Sequence, residues 1–236
     1  MMSLMSEDDI YKYWLEDGFG IFNSLFEENI RELRGYLSCM DGYLKAEEQR
    51  EITQLEEASN KLHEAHRGEY FAEHYPYEWE RIFAHHLRHS FITALMSLTE
   101  DHLNSFCNNT ALLLKSPITH KDLKGSILET GWKYLKSLAL FQEPKDHEWK
   151  VVVDIYKLRN AIVHNGGRIE GALNEARLKT FIRDAPGISI PSLGMLSITN
   201  EFCLFALERV ETLFKELHNQ QETLRLRLIE QCKAVT

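Results

Sequence analysis

From Phe19 to Arg67 the chain contains no proline, and Phe22, Leu25, Phe26, Ile30, Leu33, Leu37, Leu44, Ile52, Leu55 and Leu62 recur at the spacing of one helix face. A pleated strand alternates faces at every second residue, so this pattern fits a helix and not a sheet. One long helix or two is expected. Gly35 and Gly42 each cost about 1 kcal/mol relative to Ala in a helix interior, so a bend is expected there. Lys45 to Glu64 is poor in apolar residues and rich in Glu. That half should project into solvent or toward a partner.

The remaining chain continues the helical theme, with proline and glycine as punctuation. Arg67 to Pro76 reads as an aromatic connector, and Pro76 sits where a helix can begin. The next helix should run to about Leu114. Ile82, Phe83, Leu87, Phe91, Ala94, Leu95 and Leu98 give it one apolar face, and Ile92, Met96, Leu103 and Cys107 a second. A helix apolar on two sides belongs in the centre of a core. Ser116 or Thr119 can cap the succeeding element, where Leu123, Ile127, Trp132, Leu135 and Leu138 mark a short amphipathic helix closed by Pro144. A further helix is expected from about Lys145, and another over Ala172 to Ile182, stopped by Pro186 and Gly187. Ile188-Ser189-Ile190 and Leu196-Ser197-Ile198 alternate around a glycine-containing turn, which allows a small β-hairpin near 188–198 that Pro191 keeps short. Thr199 or Asn200 caps a last long helix reaching about Gln231. The fold class is all-α. Three consecutive segments are expected: an N-terminal helical extension over 1–79, a core over 80–184, and a connector with the C-terminal helix over 185–236.

The helix that starts near Lys145 ends in Tyr156-Lys157-Leu158-Arg159-Asn160-Ala161-Ile162-Val163-His164-Asn165-Gly166-Gly167. Val151, Ile155, Leu158 and Ile162 would form its buried stripe, while Asn160 and His164 share another face one turn apart. In an ideal helix Arg159 and His164 diverge by roughly 140°. They converge only if the last turn unwinds, and the Gly pair favours unwinding near His164. The same residues also make a favourable helix C-terminus, with cations beside the negative end of the dipole.

Arg159-Asn160-Ala161-Ile162-Val163-His164 resembles the signature of the HEPN superfamily, in which an Arg, usually followed by Asn, precedes a His with four to six residues between them near a helix end; here there are four. Phe91 to Phe106 is similar to that family's second helix, which carries an acidic residue opposite the Arg-His pair; Glu100 matches best, with Asp101 next. The resemblance covers roughly Glu80 to Arg183. It implies a helical bundle, often dimeric, with long terminal helices here added. It also implies a metal-independent endoribonuclease acting as a toxin or in antiphage defence, or else a non-catalytic module that binds protein or nucleotide. Toxins of this type that are silenced by nucleotidyl transfer carry Tyr two residues after the His. This chain has Gly166 there, so that form of control is not expected.

Charge and composition bear on partners. The chain carries net charge −9, yet Lys115 to Arg183 holds 13 Lys or Arg against 8 Asp or Glu. Lys121, Lys124, Lys133, Lys136, Lys145, Lys150, Lys157, Arg168, Arg177, Lys179 and Arg183 could form a band for RNA phosphates, within an acidic exterior that limits non-specific association, or could be scattered surface side chains. Lys157, Arg168, Lys121 and Lys124 are the RNA-binding candidates. Cys39, Cys107, Cys203 and Cys232 lack metal or disulfide spacing, which fits a reducing cytoplasm. The start of the chain lacks the features of a signal peptide, and no apolar run reaches membrane-spanning length. His85 and His89 lie one turn apart, but nothing completes a metal set, so no metal or cofactor is expected.

RNA brings its own nucleophile, the 2′-hydroxyl. His164 is assigned proton transfer, as histidine is the side chain that exchanges protons near neutral pH. Arg159 would hold the phosphate and stabilise its developing charge, Asn160 would position the phosphate or the His164 ring, and Glu100 would orient Arg159. Products would carry a 2′,3′-cyclic phosphate. A homodimer bringing two motif copies across a cleft would supply both an acid and a base. An antitoxin or another defence protein is the further partner that the resemblance implies.

Overall fold

The computed structural model describes residues 15, 19–144, 147–191 and 194–235. The start of the chain, Lys145 and the Ser192-Leu193 tip of the expected hairpin lie outside the described residues. The fold is all-α. Seven α-helices occur among the described residues: α1 (Gly20–Asn60), α2 (Glu64–Glu73), α3 (His85–Leu113), α4 (Ile127–Ser137), α5 (Glu148–Asn165), α6 (Glu175–Asp184) and α7 (Asn200–Val235). Strands β1 (Ile188–Ser189) and β2 (Ser197–Ile198) pair antiparallel, with Ile188 opposite Ile198. The hairpin is as short as Pro191 demands. No helix among the described residues is long and apolar enough to cross a membrane.

Several boundaries differ from expectation for identifiable reasons. Helix α1 runs through Gly35 and Gly42 without interruption, and both glycines face open space. Its buried stripe, Phe26, Ile30, Leu37 and Leu55, outweighs two local propensity costs. The expected aromatic connector is helical as far as Glu73. Arg67 makes this possible by donating from Nε to the Leu62 carbonyl at 3.1 Å and from Nη2 to the Asn60 carbonyl at 3.2 Å, covering carbonyls that the end of α1 leaves open. Ile82 and Phe83 were expected in an apolar face, yet they are 50% and 46% exposed. They lie in a π-helical turn, Trp79–Ala84, whose wider winding shifts the register upstream of Leu87. Helix α4 starts later than Leu123 because Ser126 and Glu129 form a capping box. Thr119 caps a 3-10 turn, His120–Asp122, in the same reciprocal way. On α5 the buried stripe is Trp149, Val152, Ile155, Leu158 and Ala161, with Val151 and Ile162 only half-buried.

The chain forms two compact units, neither of them a continuous segment. The first draws on Met1–Arg31, Ala94–Leu158 and Ala206–Thr236. Its core includes Met96, Leu103, Cys107, Leu135, Val152, Leu213 and Phe214, all at most 1% exposed. Gly131 on α4 permits close approach to α3, since a Cβ there would meet Leu103 Cδ2 at 3.1 Å. The buried Glu148 carboxylate, at the start of α5, accepts from Arg209 Nη1 at 2.6 Å. A charged pair of this kind costs desolvation, but breaking it costs more.

Polar groups inside this unit create a pH dependence. His102 and His218 meet Nε2 to Nε2 at 2.9 Å, and His102 stacks on Phe26 with ring centroids 4.2 Å apart. Two neutral rings can share one hydrogen; two protonated rings would face each other with two. Burial pushes His102 down to about 3 and His218 down to about 4, with His218 adding to the effect on His102. Both values lie below 6.5, so under that pH the unfolded chain binds more protons than the folded one. Stability should therefore fall as pH drops from about 6.5 to 4, by several kcal/mol in all. Urea unfolding at pH 7 and pH 4.5 tests this. Replacing both rings by Leu should flatten the histidine part of the slope, and an unchanged slope would refute the assignment.

The second unit comprises Glu32–Thr93 and Arg159–Phe205. Arg88 of α3 is its polar centre, only 8% exposed. Its Nη1 and Nη2 reach Glu80 at 2.7 and 3.3 Å, Nη2 lies 3.7 Å from the buried Asp41, and Nη1 donates to the Ile198 carbonyl at 3.4 Å. One guanidinium thus ties α1, the π turn and β2 together. The hairpin enters and leaves through Gly187, whose carbonyl accepts from both the backbone N–H and the hydroxyl of Thr199, at 2.8 and 3.0 Å. Gly187 has φ +66°, and a Cβ there would lie 2.6 Å from the Phe202 nitrogen, so only glycine fits.

Candidate active site

Arg159, Asn160 and His164 all belong to the second unit, on the last turns of α5. Helix α5 remains helical through Asn165, so the unwinding expected at His164 begins only at Gly166. Gly166 and Gly167 have φ +59° and +78°, and Gly167 N–H donates to the Ala161 carbonyl at 3.1 Å. That seven-to-one bond, one residue wider than a six-to-one Schellman closure, ends the helix through two left-handed glycines. It satisfies a terminal carbonyl and leaves the final turn regular.

The polar groups divide accordingly. Arg159 and Asn160 are half-buried, and Arg159 Nη1 donates to Asn160 Oδ1 at 3.0 Å. Asn160 is expected to hold the phosphate or the His164 ring; its Oδ1 accepts from the neighbouring guanidinium and its amide hydrogens stay available as donors. Among the described residues, no hydrogen bond joins His164 to Asn160 or Arg159. The His164 side chain is exposed, and no described side chain engages its ring. The arrangement therefore presents an oriented cation and an uncommitted imidazole on one helix end.

The segment after the motif helix is anchored. Gly167 is buried, and its carbonyl accepts from Leu196 N–H at 2.8 Å. The Leu196 carbonyl lies 3.3 Å from His89 Nε2, and Arg168 bridges to Met195 in antiparallel fashion. His89 thus ties α3 to the hairpin backbone through Nε2. Burial, aided by the nearby His85 ring, pushes His89 down to about 4, so it stays neutral. A Cβ at Gly167 would sit 3.0 Å from His89 Cε1. Gly167→Ala combines that contact with a left-handed backbone, and should cost about 2 kcal/mol. A melting temperature unchanged from wild type would count against this latch.

Glu100 lies in the first unit, half-buried on α3. There it lines a cleft of about 580 Å³ with Asp101, Asn104, His120 and Lys121. The cleft's buried histidine was not legible in the sequence: His120 Nε2 meets Asn104 Oδ1 at 2.9 Å, a pairing sixteen residues apart with no motif to announce it.

The basic candidates sort by their neighbours. Lys150, Lys179 and Arg183 pair with Glu143, Glu175 and Asp184, which neutralises them locally. Lys121, Lys124 and Arg168 are exposed and Lys157 half-buried, and none of the four makes an ion pair among the described residues. Lys121, Lys124 and Lys157 belong to the first unit and Arg168 to the second. No protein-family model, curated protein or solved structure matches this chain.

Proposed function

We propose that this chain is a metal-independent endoribonuclease of HEPN type, acting as a toxin or antiphage effector from a homodimeric, composite site. The observation that carries the reading is the hydrogen bond from Arg159 Nη1 to Asn160 Oδ1, on the same helix end as the exposed and uncommitted His164. A guanidinium whose position is fixed before substrate arrives stabilises charge developing on a phosphate without reorganising. An imidazole with no competing protein partner is available to take or give a proton.

In this mechanism Arg159 holds the scissile phosphate. His164 of one copy removes the proton from the 2′-hydroxyl, and the oxygen attacks phosphorus. The 5′-oxygen leaves as a hydroxyl, protonated by the second copy's His164. Glu100 is assigned the part of an acidic partner to the site, as the resemblance implies. Lys121, Lys124, Lys157 and Arg168 contribute non-specific attraction to the backbone, which weakens as salt rises.

Purified protein should cleave single-stranded RNA in the presence of EDTA and leave 2′,3′-cyclic phosphate ends. The all-deoxy oligonucleotide of the same sequence should survive, because it lacks the nucleophile. Equal cutting of both strands would exclude 2′-hydroxyl attack.

A further inference from the structure

The cleft beside Glu100 has a chemistry of its own. Its α3 wall presents Asp101 and Asn104, three residues apart and so on one helix face. Its other wall comes from the segment joining α3 to α4. Two nearby carboxylates, Asp122 in that segment and Glu129 in the first turn of α4, are already spent. Asp122 Oδ2 accepts from the Thr119 backbone N–H at 2.8 Å, and Glu129 Oε2 accepts from the Ser126 N–H at 3.1 Å. Asp101 is exposed and has no partner among the described residues, so it offers the cleft an open carboxylate.

The depth of the cleft is polar and incompletely satisfied. His120 is 2% exposed. Its Nε2–H donates to Asn104 Oδ1, which fixes the amide and leaves the Asn104 Nδ2 hydrogens as donors. His120 Nδ1 then carries a lone pair, and it has no hydrogen-bond partner among the described residues. A buried acceptor left unmet costs about 1–3 kcal/mol, so the arrangement calls for a donor. Leu123 and Ile127, half-buried, supply an apolar strip along the same cleft, and Lys121 supplies a cation.

The ligand complementary to these groups has adjacent N–H donors, an acceptor, a flat apolar face and an anion. We propose that the cleft binds a guanine base bearing a phosphate. Guanine places N1–H beside the N2 amine, a pair that one carboxylate accepts bidentately, and the amine's second hydrogen suits His120 Nδ1. Its O6 accepts from the Asn104 amide, its face lies on Leu123 and Ile127, and its phosphate meets Lys121. Adenine offers no such donor pair. The guanine can come from a free nucleotide or from an unpaired residue in RNA. This inference stands on the first unit alone and does not depend on cleavage.

Calorimetric titration of the full chain carrying Arg159→Ala and His164→Ala, which prevents turnover, separates these sources. The probes are 5′-GMP, 5′-IMP, 5′-AMP, and a short single-stranded RNA with one guanosine or with inosine in its place. Saturable binding of 5′-GMP at least tenfold tighter than 5′-AMP, weakened in 5′-IMP, assigns the free nucleotide. Binding of the RNA alone, with the same inosine penalty, assigns a base within RNA. Asp101→Asn and Asn104→Leu should each weaken either ligand at least fivefold while the melting temperature of Asp101→Asn stays that of the parent. No saturable binding, equal affinity for guanine and adenine ligands, or affinity unchanged in both variants would overturn the proposal.

Discussion

Arg88→Ala should destabilise the protein by about 3 kcal/mol, seen as a lower urea midpoint at an unchanged slope. The loss arises from what the guanidinium leaves behind. Glu80 is exposed and can return to water, so its share is small. Asp41 is 7% exposed and cannot. It keeps Lys45, whose Nζ lies 2.7 Å from Oδ2, but the oxygen facing Arg88 is left in a buried site. The Ile198 carbonyl also loses a donor. Arg88→Lys retains the charge without the planar fork and should recover only part of the loss. Asp41→Asn combined with Arg88→Ala should cost less than the sum of the two single changes, because the stranded charge is gone. A change under 0.5 kcal/mol for Arg88→Ala would show that the cluster adds nothing.

The consequence reaches the candidate site within the same unit. Arg88 secures Ile198, two residues beyond Leu196, and Leu196 N–H holds the Gly167 carbonyl at the exit of the motif helix. Arg88 itself therefore acts on the geometry of this unit and not on any reacting group.

Helical periodicity made the helices legible, because burial of one stripe is a property of the sequence itself, and two-residue alternation around a glycine turn made the hairpin legible. Less legible were features that depend on a neighbour far along the chain. The π turn at Trp79–Ala84 left no periodic trace and turned Ile82 and Phe83 outward. The helical character of Glu64–Glu73 rests partly on Arg67 reaching back to Asn60. The S-x-x-E box at Ser126 could have been read directly, and it moves the start of α4 past Leu123. At the candidate site, Gly166 and Gly167 announced the helix end correctly, but the bond from Gly167 N–H to the Ala161 carbonyl closes it beyond His164, which stays in a regular turn. The pairing of Arg159 with Asn160 follows from side-chain reach between neighbours, which angles around an ideal helix do not describe. The Asn104–His120 pair depends on tertiary approach alone.

Cleavage of tRNA and total RNA by wild type, Arg159→Ala and His164→Ala, with EDTA present throughout, tests the ribonuclease assignment and its site together. Removing a general acid or base costs about 100- to 10,000-fold, and removing a preorganised phosphate donor about 100- to 1,000-fold. His164 is exposed, so His164→Ala should keep the wild-type melting temperature within a few degrees; Arg159 is half-buried, so the activity of Arg159→Ala is compared at a temperature where circular dichroism shows it folded. The expected result is EDTA-resistant cleavage leaving cyclic phosphate ends, reduced at least 100-fold by each substitution. RNA left intact by folded wild-type protein, or cleavage undiminished in both folded variants, would contradict it.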